Sequence, residues 1–114
     1  MPLEVIVNGK VAERKEVEAD GELRDVSFNV PIERSSWITL RILPSSHTNP
    51  VWVTVDKAPV RASKRSAQWL REAVDVCFRQ KVGRVRIGEQ GEMVRAYDHA
   101  RAAYDRLITE SPVE

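Results

Sequence analysis

His47 is the side chain best suited to proton transfer in this chain. It stands in Pro44-Ser45-Ser46-His47-Thr48-Asn49-Pro50, read as a loop bracketed by prolines between two apolar strands. Imidazole changes charge near neutral pH, so such a residue suits acid–base work or metal binding. Spacing places no second ligand, base or nucleophile beside it. The Ser, Thr and Asn of the loop favour the structural reading, in which they bond their own backbone and tighten the connection. The other histidine, His99, is next to Asp98 in a helical stretch, and adjacent helical residues point in different directions. Two histidines, one cysteine and no His-Glu-x-x-His run give no metal-ligand pattern, so no metal or other cofactor is expected.

Cys77 falls on an apolar helical row, where a thiol behaves as a small hydrophobe. As the only cysteine, it excludes an intrachain disulfide. Ser35-Ser36 and Ser45-Ser46 have no Gly-x-Ser-x-Gly frame, and neither a P-loop nor a dinucleotide glycine motif is present. No catalytic residue is assigned. Trp37 and Trp52 invite an interaction reading instead. Strand alternation puts them, with Ile6 and Leu43, opposite the Val/Ile/Leu rows, among Thr39, Arg41 and Thr54. They suit a docking surface for another domain or subunit, since tryptophan is enriched at binding hot spots. A helix covering that face would make them ordinary core. The candidate interaction residues are therefore Trp37, Trp52 and His47.

The elements that hold these residues follow from pattern. Residues 1–60 contain ten of the sixteen valines and most of the prolines. Strands are expected at Leu3–Val7, Lys10–Val17, Glu22–Val30, Ser36–Leu43 and Val51–Val55. Asn8-Gly9 suits a two-residue hairpin because both positions tolerate positive φ. The second strand is polar on both faces and reads as an edge. Short connections favour antiparallel pairing. Residues 63–110 hold no proline and are rich in Ala, Arg, Glu and Gln, which favour helix. One helix is expected from a Ser63 cap to about Val82, stopped by Gly83, with Ala67, Leu70, Val74 and Cys77 as its row. A second is expected from about Glu89 to Thr109, with Met93, Tyr97, Ala100 and Tyr104 on one side. Asp98–Arg101 and Arg71–Asp75 are expected as helical ion pairs.

The fold expected is therefore α+β. An antiparallel sheet of about five strands, with a sandwich-like arrangement as the alternative, precedes a C-terminal antiparallel αα-hairpin. The domain reading is a single domain over 1–114, with a β-rich half at 1–60 and a helical hairpin at 63–110. The length of 114 residues suits one modest core. Eighteen Lys and Arg balance seventeen Asp and Glu, which argues against nucleic acid as a partner. Basic groups cluster at Arg61, Lys64 and Arg65, and again at Arg79, Lys81, Arg84 and Arg86; the charge balance reads both as solvated surface. The start is strand-like rather than a secretory signal, no apolar run reaches membrane-span length, and no compartment is indicated.

Several strings form a recognisable pattern: Val5-Ile6-Val7-Asn8-Gly9-Lys10, Asp25-Val26-Ser27-Phe28, Arg34 to Leu43, His47-Thr48-Asn49-Pro50-Val51-Trp52-Val53, Arg61 to Trp69, and Tyr97-Asp98-His99-Ala100-Arg101. Across nearly its whole length the chain resembles the C-terminal region of bacterial carbaryl-hydrolase-like (CehA/McbA-type) metallohydrolases, of the polymerase-and-histidinol-phosphatase superfamily. In that family the metal ligands and hydrolytic residues belong to an N-terminal catalytic domain, so none carries over to a position here. The resemblance implies a non-catalytic accessory module whose partner is the catalytic domain of a parent chain or a second copy. The alternatives are an independent carbohydrate- or nucleic-acid-binding module, and a small hydrolase using His47.

Overall fold

The structure, a computed structural model, describes residues 1–113. It divides into two compact units, Met1–Val60 and the segment from Arg61 onward.

The first unit is one antiparallel sheet. Its strands are β1 (Pro2–Val7), β2 (Lys10–Glu16), β3 (Ser36–Ile42), β4 (Ser46–His47) and β5 (Val51–Val53). β1 lies between β2 and β3, and the far side of β3 is shared by β4 and β5. The hairpin joining β1 and β2 turns on Asn8 and Gly9, with φ of 50° and 86°. The register within that pair shifts between Val5, opposite Glu13, and Ile6, opposite Val11. Asn8 then clamps β3: its backbone N–H donates to Trp37 O at 3.0 Å, its Oδ1 accepts from Trp37 N at 3.1 Å, and its Nδ2 donates to Ser36 Oγ at 3.1 Å. The central position of β1 explains why Val5 and Ile6, on its opposite faces, are the buried apolar residues of this unit. β2 is exposed almost throughout, as an edge strand with five charged residues should be.

The five-stranded antiparallel sheet expected of this half is present, as one sheet and not the sandwich alternative. The strand expected at Glu22–Val30 is corrected: that segment is not a strand. Both sides of β1 are taken by β2 and β3, and the remaining edge of β2 presents charge. The alternation at Val26, Phe28 and Val30 therefore has no ladder to join. Side chains hold this segment instead. Lys15 donates to Ser27 O and lies over the Phe28 ring at 5.1 Å, and Arg24 pairs with Asp20 and donates to Glu18 O at 3.0 Å. The fifth strand is supplied by Ser46–His47, so His47 lies in a short strand and not in a loop.

A turn at Asp56 and Lys57, both at positive φ, follows β5. Buried Ser35 pins it: Ser35 Oγ donates to Ala58 O at 2.6 Å and accepts from Val55 N at 2.8 Å.

The second unit is a helical hairpin of α1 (Lys64–Lys81) and α2 (Gln90–Glu110). Ser63 caps α1, accepting from Ser66 N at 3.0 Å. α1 does not end on a left-handed glycine; a 3-10 turn, Val82–Arg84, carries the chain out, and a second, Ile87–Glu89, leads into α2. The helices are antiparallel, since early residues of α1 meet late residues of α2: Arg71 bonds Asp105, and Cys77 bonds Tyr97. No helix among the described residues is long and apolar enough to cross a membrane.

Candidate functional site

Strand register brings the three candidate interaction residues onto one face of the sheet. Trp37 is directly opposite Trp52, and Arg41 is directly opposite His47. Trp37 and Arg41 are four residues apart on β3, so they share a face at a separation of about 13 Å. Ile6 and Glu4 of β1 are opposite Thr39 and Arg41, which completes the row.

The centre of this face is closed and its rim is open. Ile6 is 3% exposed and Glu4 7%. Arg41 locks Glu4 by two bonds to one carboxylate oxygen, Nε at 2.9 Å and Nη2 at 2.7 Å. Around this closed patch, Trp37 is half-buried and Trp52 is 63% exposed. Trp52 is therefore not ordinary core. The Trp37 indole lies over the hairpin turn, where a Cβ added to Gly9 would come within 3.8 Å of Cζ2.

His47 is exposed, and its Nδ1 is 2.9 Å from Thr48 O. A carbonyl only accepts, so this contact places a proton on Nδ1. Thr48 is tied to β3: its N–H donates to Leu40 O at 2.9 Å, its Oγ1 accepts from Leu40 N at 3.0 Å, and Thr39 Oγ1 donates to its carbonyl at 2.8 Å. These bonds spend the polar groups of Thr48 on structure. Among the described residues no carboxylate or hydroxyl bonds the imidazole, and no group of three or more His, Cys, Asp or Glu residues could hold a metal ion.

The remaining candidates serve the helices. Cys77 Sγ and Tyr97 Oη share a hydrogen bond at 3.0 Å in an open apolar groove of about 320 Å³ between α1 and α2. That bond, assisted by partial burial, holds the Tyr97 phenol above its ordinary range. His99 is exposed. The expected pairs form, Arg71–Asp75 at 2.8 Å and Arg101–Asp98 at 2.9 Å, and each extends across the hairpin: Arg101 reaches Asp75 at 2.8 Å and Arg71 reaches Asp105 at 2.9 Å. The Arg101 bond, seconded by Arg71 against a desolvation penalty, holds the Asp75 carboxyl below the usual carboxylate value. In the first basic cluster, Arg61 is bound to Glu110 at 2.8 Å.

Two features escaped the sequence reading. Trp69 is 69% exposed on α1 beside Arg65, and its signal was its place off the Ala67–Leu70–Val74 row. The Glu4–Arg41 pair spans 37 residues and had no local signal. Comparison of the chain with protein-family models, curated proteins and solved structures finds no match in any of the three.

Proposed function

We propose that this chain is a non-catalytic interaction module that docks through the indole-bearing face of its sheet. The partner is the catalytic domain of a parent hydrolase, as the family resemblance implies, or a second copy of the chain. The observation that carries this reading is Trp52, 63% exposed and paired across the ladder with Trp37. A large amphipathic ring left in water beside a closed polar patch has the makeup of an interface hot spot with its surround.

Indole quenching tests the reading. In a Trp69→Phe background, iodide quenches Trp52 in the monomer, and docking shields it. Indoles already shielded in a clean monomer overturn the proposal. A second reading, carbohydrate binding, draws on Thr39, Arg41 and His47 beside the indoles on the same face. Binding of a glycan panel that Trp52→Ala abolishes would select it.

A further inference from the structure

The proposal above leaves the partner's chemistry open, and the backbone of β5 narrows it. Trp37 spends both its N–H and its C=O on Asn8, toward β1. The Trp37–Trp52 pair is therefore the kind without mutual backbone bonds, in which side chains approach most closely. It follows that the N–H and C=O of Trp52 point away from β3. Val55 N bonds Ser35 on the β3 side, so Thr54 points outward like Trp52. β5 pairs only with β3, and among the described residues no hydrogen bond reaches the outward groups of Trp52 or Thr54.

The two edges of the sheet differ sharply. β2 carries five charged residues in seven, the usual protection of an edge against pairing. From Thr48 to Val55 there is no ionisable side chain, and Val51 and Trp52 are each 63% exposed on opposite faces.

We infer, building on the docking reading, that the β5 edge pairs with the β5 edge of a second copy. A two-fold axis through Trp52 satisfies the geometry. Trp52 N–H donates to Trp52 C=O of the second copy, and the reverse bond forms by symmetry. Thr54 N–H donates to Pro50 C=O of the second copy; Pro50 has no N–H to return, which limits the pairing to a short ladder. Trp37 and Trp52 of both copies then stand in one row on the same face. A second copy fits better than a charged partner strand because self-pairing sets no like charges opposite one another, and the net charge of +1 leaves little repulsion between copies.

Sedimentation equilibrium from about 1 μM to about 1 mM, the range in which a small interface self-associates, is the first measurement. The second is concentration-dependent amide exchange. A dimer with protection rising at Trp52 and Thr54 is expected. Val51→Lys, on the face away from the indoles, weakens it about tenfold or more. A monomer throughout, or a dimer whose Trp52 and Thr54 amides stay unprotected, overturns the inference. Val51→Lys leaves Trp37 and Trp52 in place, so iodide quenching of that variant reports on the indole-face reading separately.

Discussion

Trp52 stands directly across β5–β3 from Trp37, yet the two indoles differ in burial: Trp37 is half-buried against the Asn8-Gly9 turn and Trp52 is 63% exposed. One therefore serves the sheet and the other faces water. Trp37→Ala is expected to cost about 2 kcal/mol, short of a full-core aromatic loss. Trp52→Ala is expected to cost less than about 1 kcal/mol, the scale of a cross-strand pair. Urea denaturation of both variants checks this, and equal losses would contradict it.

Ser35 makes the turn after β5 possible. Its hydroxyl accepts from Val55 N and donates to Ala58 O, and the residue is 4% exposed. Ser35→Ala leaves both groups without that partner. An expected loss of about 1–3 kcal/mol follows from stranding a buried polar group. Amide exchange at Val55 should accelerate more than at Val5, which lies outside this turn.

What could be read from sequence was local. Asn8-Gly9 announces its turn, Ser63 its cap, and the alternation through Ile38, Leu40 and Ile42 its strand. Alternation at Val26, Phe28 and Val30 was equally clear, but periodicity says which side a residue faces and not whether an edge is free to receive it. β4 is two residues long and pairs through register with β3, so no pattern in Ser46-His47 could reveal it. The same limit applies to charge. Arg71–Asp75 is legible as an i,i+4 pair, while the reach from Arg101 to Asp75 crosses 26 residues and waits on the hairpin. The candidate face was legible as a set of residues with a shared side. The direct opposition of Trp37 and Trp52 was not, because it needs strand order.

Asp75 joins the two helices by accepting from Arg71 of α1 and Arg101 of α2. Its carboxyl is held below its usual value of 3.8, first by the Arg101 bond. A carboxylate whose folded value is lowered stabilises the fold above the unfolded value, and that contribution is lost as pH falls through the folded value. Acid unfolding of the helical unit, followed by far-ultraviolet circular dichroism, should therefore steepen below pH 3.8. Asp75→Asn should lower the midpoint at neutral pH and flatten that acid dependence. An unchanged acid profile would remove Asp75 from the account.

Tyr97 gives the opposite sign at the other end of the scale. The Cys77 bond, then partial burial, raises its phenol above 10.0, and Phe78 meets its ring edge-on with centroids 5.3 Å apart. Since the neutral form is favoured in the fold, this contribution is complete below pH 10.0 and is lost as pH rises through the folded value. The chain has two tyrosines, so Tyr104→Phe isolates the Tyr97 phenolate absorbance. That signal should rise above pH 10.0, and Cys77→Ala should move it back toward 10.0. Tyr97→Phe should leave the hairpin folded and abolish the alkaline loss. A Tyr97 titration indifferent to Cys77→Ala would show that the shared bond at 3.0 Å does not set its acidity.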